Sequence, residues 1–198
     1  MRLTFLIIMM IVLCGCGSDD GTSPSPPQPP TLVDQGWDAF ETGDFAGAKA
    51  DFEEAIANDA TNSAAHNGLG WANMMLDDLS GAVTSFDAAL TNGFTGADPH
   101  AGKAIVQRDL APVDYNAAIV SANAALGIDT NYAFEHDTSL NWQDLRLILA
   151  QSHFALGQYT EANTQVGDLG GNVQDGSSST FVEDLLAEIE RLSEMFGG

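Results

Sequence analysis

A repeat with a period of 34 residues is the feature of this sequence that most limits what it can fold into. The segments at residues 36–56 (GWDAFETGDFAGAKADFEEAI) and 70–90 (GWANMMLDDLSGAVTSFDAAL) align at that offset without a gap. Each begins with a Gly-Trp pair, and the apolar positions that follow coincide. Self-similarity at a fixed period of this length is typical of chains that stack one small supersecondary unit on the next. The period therefore predicts a repeat architecture.

The aligned small and aromatic residues indicate that each unit is a pair of antiparallel helices. A glycine in the first helix (helix A) and an alanine in the second (helix B) allow close approach, and a phenylalanine fills the seam between the helices. Both copies contain this set, which is Gly36/Gly70, Ala48/Ala82 and Phe52/Phe86. A single pair leaves an apolar face that only a neighbouring unit covers, so the units are expected to stack.

Two further copies follow with less regular spacing. The third, residues 99–126, needs two extra residues around Leu110, whereas the fourth, residues 142–166, aligns cleanly with the first. Between them, residues 127–139 (GIDTNYAFEHDTS) form a longer loop than the repeat requires. Apolar side chains at helical spacing predict a last helix over residues 181–196, which is expected to close the open end of the stack.

The period, together with a small residue followed four positions later by an aromatic one, resembles the tetratricopeptide repeat (TPR). This resemblance implies an all-α, TPR-like α-solenoid of about four helix-turn-helix repeats plus a C-terminal capping helix. In two respects the sequence departs from the family pattern. The proline that ends a TPR unit is absent from each copy, and Leu32, His66 and Arg146 replace the tryptophan early in helix A. Trp37 and Trp71 are therefore not the family's usual core tryptophan.

The N-terminus carries the pattern of an export signal. Leu3 to Leu13 is an apolar run of eleven residues, which is too short to cross a bilayer but matches the core of a signal peptide. The run ends in Leu13-Cys14-Gly15-Cys16, which resembles the lipobox of bacterial lipoproteins. That resemblance implies cleavage before Cys16 and lipidation of its thiol. An ordinary signal peptide or an uncleaved N-terminal anchor is the alternative.

These features divide the chain into four parts. Residues 1–15 are predicted to be the lipoprotein signal peptide, and residues 16–30 the lipidated cysteine with a tether rich in proline, serine and aspartate. Residues 31–169 hold the TPR-like repeats, and residues 170–198 the Gly/Ser loop and the capping helix. Because Gly17 replaces the aspartate that favours inner-membrane retention, the lipoprotein resemblance implies an outer-membrane location facing the periplasm.

The charge and motif content argue against several functional classes. With 28 acids against 6 basic residues, the net charge of −22 is the opposite of what nucleic-acid binding needs, and membrane contact is expected only through the lipid anchor. We find no catalytic or phosphate-binding motif and no metal-ligand spacing among the four scattered histidines, so we expect a non-enzymatic protein without a cofactor or metal.

One face of helix A is unusually apolar, and the TPR resemblance implies that this face lines a concave groove where peptides bind. Trp and Met side chains on such a surface favour an adaptable hydrophobic anchor for a partner helix or extended segment. The alternative is that the C-terminal helix, the loop at residues 127–139 or a second copy of the chain covers these side chains. The predicted groove residues are Val33, Trp37, Phe40, Trp71, Met74, Met75, Ile105, Arg108, Leu147, Gln151 and Phe154.

Together these observations predict a membrane-anchored TPR scaffold or adaptor. It would bind a partner protein through the apolar groove and act in cell-envelope assembly or secretion. Two alternatives from other classes stay open, namely a carrier for a small apolar ligand or lipid, and a surface protein whose acidic exterior depends on cations.

Overall fold

The computed structural model describes residues 29–173 and 180–196, and within these ranges the chain forms nine α-helices. The signal peptide, Cys16 and nearly all of the tether lie outside the described residues. The helices are α1 Leu32–Glu41, α2 Phe45–Asn58, α3 Ser63–Met75, α4 Leu79–Thr91, α5 Asp98–Asp109, α6 Tyr115–Ile128, α7 Trp142–Ala155, α8 Tyr159–Asp168 and α9 Phe181–Phe196.

Local sequence explains where these helices begin. Short polar side chains precede most of them and accept a hydrogen bond from a backbone N–H group of the first turn, which would otherwise lack a partner. Thr31 and Asn141 form complete capping boxes with Asp34 and Asp144, respectively. The other side chains that cap in this way are Asp44, Asn62, Asp78 and Asp114.

The turns inside the repeats are also set locally. Gly43 and Gly157 lie between helices A and B of the first and fourth repeats with φ of 83° and 73°, a conformation that glycine adopts without steric cost. The equivalent residue of the second repeat is Asp77, which adopts φ of 63° although it has a side chain. Aspartate tolerates this region better than most residues do, so the turn is kept.

The helices pair and stack as the repeat predicts. Each helix A packs on its own helix B, each helix B packs on the next helix A, and α1, α3, α5 and α7 contact one another in order. The ninth helix packs against α7 and α8 at the end of the stack. The predicted all-α TPR solenoid with a C-terminal capping helix is therefore confirmed.

Two phenylalanines hold the first three repeats together. The Phe52 ring lies against Gly36 of its own repeat and Gly68 of the next, where an added Cβ would come within 2.6 and 2.3 Å of ring carbons. Phe86 occupies the same position one repeat later, between Gly70 and Gly102. Each ring thus reaches across a repeat boundary, which explains why glycine recurs on helix A.

The core has two parts. The larger cluster runs through the first three repeats into α7 and includes Tyr132 and Phe134 from the loop between α6 and α7. The smaller cluster lies between α7, α8 and α9, where the capping helix buries Leu185, Ile189 and Leu192. In the described part of the chain, no helix is both long and apolar enough to cross a membrane.

Candidate interaction surface

Helices α1, α3, α5 and α7 present the residues that were predicted to form a concave groove, and we call this surface the inner face. Its two halves differ. Over α1 and α3 it is covered by residues 129–141, which we call the loop, and between α5, α7 and α9 it is open. The predicted groove residues are divided between these halves.

The loop crosses the inner face as an extended segment. Tyr132 and Phe134 are buried and His136 is half-buried, whereas Ala133, Glu135 and Asp137 are exposed. This alternation, with a period of two, is the geometry of an extended strand, in which successive side chains point to opposite sides. Backbone hydrogen bonds stabilise the segment internally, and two of them join its ends, from Phe134 N–H to the Leu140 carbonyl at 2.9 Å and from Trp142 N–H to the Tyr132 carbonyl at 2.7 Å.

The inward side chains of the loop stack on both tryptophans. The Phe134 ring lies parallel to that of Trp71, with centroids 4.0 Å apart, and meets Trp37 edge-on at 6.0 Å. The His136 ring stacks on Trp37 at 3.7 Å, and its Nδ1 lies 2.8 Å from Glu41 Oε1. Aromatic pairs of this kind stabilise by about 0.5–1.5 kcal/mol each beyond the area that they bury.

Tyr132 attaches the loop to the third repeat. Its buried hydroxyl lies near the carboxylate of Asp98 at the start of α5, although it has no hydrogen-bond partner in the described part of the chain. Burial raises the pKa of Asp98, and the Tyr132 hydroxyl offsets part of that increase. Burial, followed by the neighbouring Asp98 carboxylate, raises the pKa of Tyr132. Both groups are thus held in an environment of low polarity under the loop.

The loop corrects the expectation that the tryptophan rings are open to a partner. Trp71 is only 1% exposed and Phe40 only 5%, so neither side chain is accessible as the chain stands. Of the three covering elements considered from the sequence, it is the loop that lies on these rings. The alternation of Tyr132, Phe134 and His136 was the sequence signal for this, because it marks an extended segment with one apolar side.

Four of the predicted groove residues line a cavity in the open half. Its volume is about 410 Å³, and Ile105, Arg108, Leu147 and Gln151 are among the residues around it. Leu140 and Ser139 of the loop close one side, and Ser193 of α9 contributes to another. The cavity therefore lies where the third repeat, the fourth repeat, the loop and the capping helix meet.

The cavity combines apolar and polar walls. The Arg108 guanidinium donates two hydrogen bonds to the Asp109 carboxylate, at 2.7 and 2.9 Å. Burial raises the pKa of Asp144, whose carboxylate accepts from Asn141 N–H at 2.7 Å. Gln151 Nε2 lies 3.4 Å from Ser193 Oγ, a long contact that links α7 to the capping helix.

The other predicted groove residues do not join the cavity. Val33 is partly buried near the start of α1, and Met74 is partly buried against the larger core. Met75 is 43% exposed at the end of α3, and Phe154 packs on Tyr159 with ring centroids 5.3 Å apart. Whether any of the predicted groove residues binds a partner stays a prediction.

The histidines do not gather into a metal-binding group. Within residues 29–173 and 180–196, no three His, Cys, Asp or Glu side chains lie close enough to hold a metal ion. Burial, with a smaller contribution from Lys103, lowers the pKa of His100. His66 contacts the Ala60 carbonyl oxygen at 3.0 Å, and His153 Nδ1 contacts Gln158 at 2.6 Å. These are local contacts next to turns.

Comparisons with known proteins agree on the fold. The sequence profile of the tetratricopeptide repeat matches residues 33–101, and no curated protein matches the sequence. Two crystal structures of MamA share 17% and 16% identity, cover 84% and 80% of this chain and 81% and 92% of their own, and have TM-scores of 0.59 and 0.60. A tetratricopeptide repeat protein from Parabacteroides merdae shares 16% identity over 83% of this chain and 59% of its own, with a TM-score of 0.57.

Proposed function

The chain is a tetratricopeptide-repeat protein, and from that premise we propose that it is a membrane-anchored scaffold that binds a partner protein through the cavity on its inner face. A TPR stack is a scaffold for protein–protein interaction, and proteins of this family are generally not catalysts. The lipid anchor, the membrane location and the surface that binds the partner are parts of this proposal.

One observation carries the choice of surface. The TPR resemblance implied a partner groove of eleven residues, and four of them, Ile105, Arg108, Leu147 and Gln151, lie around one cavity, which supports this choice. Its volume of about 410 Å³ lies within the range of about 300–1,000 Å³ that ligand pockets have, and it is large enough for one or two side chains of a partner. The lining is mixed, because Ile105, Leu140, Leu147 and Ile148 lie beside five polar residues, and it therefore suits a partner side chain that has both an apolar and a polar part.

A photo-crosslinking amino acid placed at Gln151 tests this surface. We expect discrete crosslinked products in intact cells, because Gln151 lines the cavity, and none from the same amino acid at Glu54, which is exposed on the outer helix α2. Equal products from both positions, or none from Gln151, would contradict the proposed surface. A lipid that co-purifies with the chain and is detected by mass spectrometry would instead favour the carrier alternative.

We further propose that Cys16 is lipidated and places the scaffold at the periplasmic side of an outer membrane. The Leu13-Cys14-Gly15-Cys16 sequence after an apolar run supports this, and the proline-rich tether would let the repeats stand away from the bilayer. From that position the scaffold would act in cell-envelope assembly or secretion.

The Cys16→Ser variant tests the anchor. Without a thiol to acylate, we expect the protein to move to the soluble fraction, because each buried methylene of a lipid chain contributes about 0.8 kcal/mol to membrane binding. Cell fractionation followed by immunoblotting measures the change, with Cys14→Ser as the matched control that stays in the membrane. If Cys16→Ser fractionates with membranes as firmly as the wild type, the lipoprotein proposal is wrong.

A further inference from the structure

We propose that the loop is an internal ligand of the inner face, and that a partner's extended basic segment with the same alternation of aromatic side chains displaces it. The inference rests on the proposed function as a partner-binding scaffold and goes beyond it, because it concerns the half of the inner face that the loop covers and not the open cavity. Four features of the loop support it: its register, its attachment through side chains, its charge and the buried indole N–H beneath it that has no acceptor.

The register of the loop matches the repeats. Tyr132 lies near Asp98 of α5, Phe134 stacks on Trp71 of α3 and meets Trp37 edge-on, and His136 stacks on Trp37 of α1. Residues 132–136 are therefore sufficient to reach the first three repeats. An extended segment can bind in this way along the continuous surface that stacked repeats form.

The loop is attached to these helices through side chains. In the described part of the chain, every backbone hydrogen bond made by residues 130–140 stays within residues 129–142, and none reaches α1, α3 or α5. The contacts between α6 and α7 and between the paired helices exist independently of the loop. Lifting the loop would therefore break ring contacts and the His136–Glu41 pair while the helical stack keeps its own contacts.

The charge of the loop makes it an imperfect ligand for this surface. Asp129, Glu135 and Asp137 are among the 28 acids that give the chain its net charge of −22, and the inner face contributes Glu41 and Asp98 below them. A segment with lysine or arginine at the outward positions would be attracted where the loop is repelled. At the position of His136, an arginine would both stack on an aromatic ring and bind a carboxylate, which are two properties of the guanidinium group.

The loop also leaves a buried donor unpaired. The indole N–H of Trp71 finds no hydrogen-bond acceptor in the described part of the chain, although the residue is 1% exposed. A buried tryptophan N–H usually has a partner, because its desolvation is otherwise uncompensated. A displacing segment that offers a carbonyl oxygen here would gain a hydrogen bond that the loop does not make.

The energetic consequence is competition within one molecule. A tethered occupant has an effective concentration of the order of millimolar, so it lowers the apparent affinity of any segment that uses the same surface. That affinity is reduced by the fraction of molecules in which the surface is free. Weakening the loop should therefore strengthen binding in trans without any change to the surface itself.

The test uses the full chain, its Phe134→Ala variant and three fluorescent peptides in anisotropy titrations at low salt. The first peptide is residues 129–141 (DTNYAFEHDTSLN), the second carries Glu135→Lys and Asp137→Lys, and the third carries Tyr132→Ala and Phe134→Ala. We expect the first to bind Phe134→Ala about tenfold more tightly than wild type. The basic peptide should bind about tenfold more tightly still, and the alanine peptide should not bind.

Equal binding of the first peptide to wild type and Phe134→Ala would overturn the proposal, as would no binding by a variant that circular dichroism shows to be folded. If Phe134→Ala fails to fold, a chain with a protease site inserted between Asp137 and Thr138 replaces it. This chain keeps every side chain of the loop. The first peptide should bind the cut form about tenfold more tightly than the uncut form, and equal binding to both forms would overturn the proposal. Ser139 and Leu140 of the loop line one side of the cavity, but crosslinking from Gln151 reports on the partner of the wild-type chain in cells, whereas the peptide titrations report on the loop. Loss of crosslinks would therefore count against the proposed function, and loss of peptide binding only against the internal ligand.

Discussion

At the scale of single residues, the fold depends on pairing one large ring with two glycines. Phe52 contacts Gly36 and Gly68, but at the place of Gly36 the third and fourth repeats have Ala104 and Ala150, and their helix B carries a smaller residue. Ala122 and Val166 take the place of the phenylalanine there, and both are buried. The size of the side chain on helix B therefore changes together with the size of the residue that faces it on helix A, which keeps the interhelical distance that close packing requires.

Gly68→Ala should destabilise the protein because of this pairing. Its Cβ would come within 2.3 Å of Phe52 ring carbons, and the buried ring has little room to move. Overpacking of this kind lowers the free energy of unfolding by about 1–3 kcal/mol. Urea unfolding measures it, with Gly127→Ala as the control, because nothing lies within 4 Å of that position and removing a helical glycine should raise stability by about 0.5–1 kcal/mol. Equal effects of the two substitutions would refute the packing argument.

At the scale of elements, α9 acts as the cap that the stack needs at its open end. Its buried side carries Leu185, Ile189 and Leu192 against the fourth repeat, and its opposite side leaves Leu186 40% exposed. A terminal helix with one apolar and one polar side is what ends a solenoid without exposing its core. The amphipathic pattern of residues 181–196 was sufficient to predict this role.

Leu192→Ala and Leu186→Ala form a matched pair on this helix. Leu192 is fully buried, so its truncation should lower the free energy of unfolding by about 2–5 kcal/mol, whereas Leu186→Ala should change it by no more than about 0.5 kcal/mol. Thermal or urea unfolding of both variants measures the difference. A large loss for Leu186→Ala would mean that the exposed side of α9 is covered in solution.

At the scale of the whole molecule, charge repulsion opposes a stack held together by apolar contacts. The net charge of −22 arises from 28 acids, and the basic residues of the described chain are already paired with neighbouring acids or amides. Repulsion between like charges therefore outweighs the attraction of these pairs, which lie mostly at the surface and contribute little each.

Salt should therefore stabilise the protein. Raising NaCl from 0.01 to 1 M shortens the screening length from about 30 to about 3 Å, and we expect the melting temperature to rise by about 3 °C or more. Differential scanning calorimetry measures this, with CaCl2 at matched ionic strength as the comparison. A fall in melting temperature with NaCl would contradict the repulsion argument, and a much larger rise with CaCl2 would favour the alternative of an acidic surface that depends on cations.

The sequence alone determined the repeat, the helix pairs and the capping helix. These follow from local information, because a capping side chain, a turn glycine or the spacing of Gly36 and Phe52 acts within one repeat or between neighbours. The same regularity led to the prediction that Trp71 lies on an open surface. Periodicity places a side chain on a face of a helix, but it does not say what else lies on that face.

Only the tertiary structure decided where the loop goes. The contact between His136 and Glu41 joins residues 95 positions apart, and no repeat relates them. The sequence predicted only a long loop at residues 127–139. Its alternating aromatic side chains are typical of an extended segment with one apolar side, but this pattern does not say which apolar surface the segment covers. The choice depends on the shape of the assembled inner face, where α1, α3 and α5 together present two tryptophan rings and two carboxylates that fit this segment. Such a fit exists only after the repeats have stacked, so it cannot be read from any one of them.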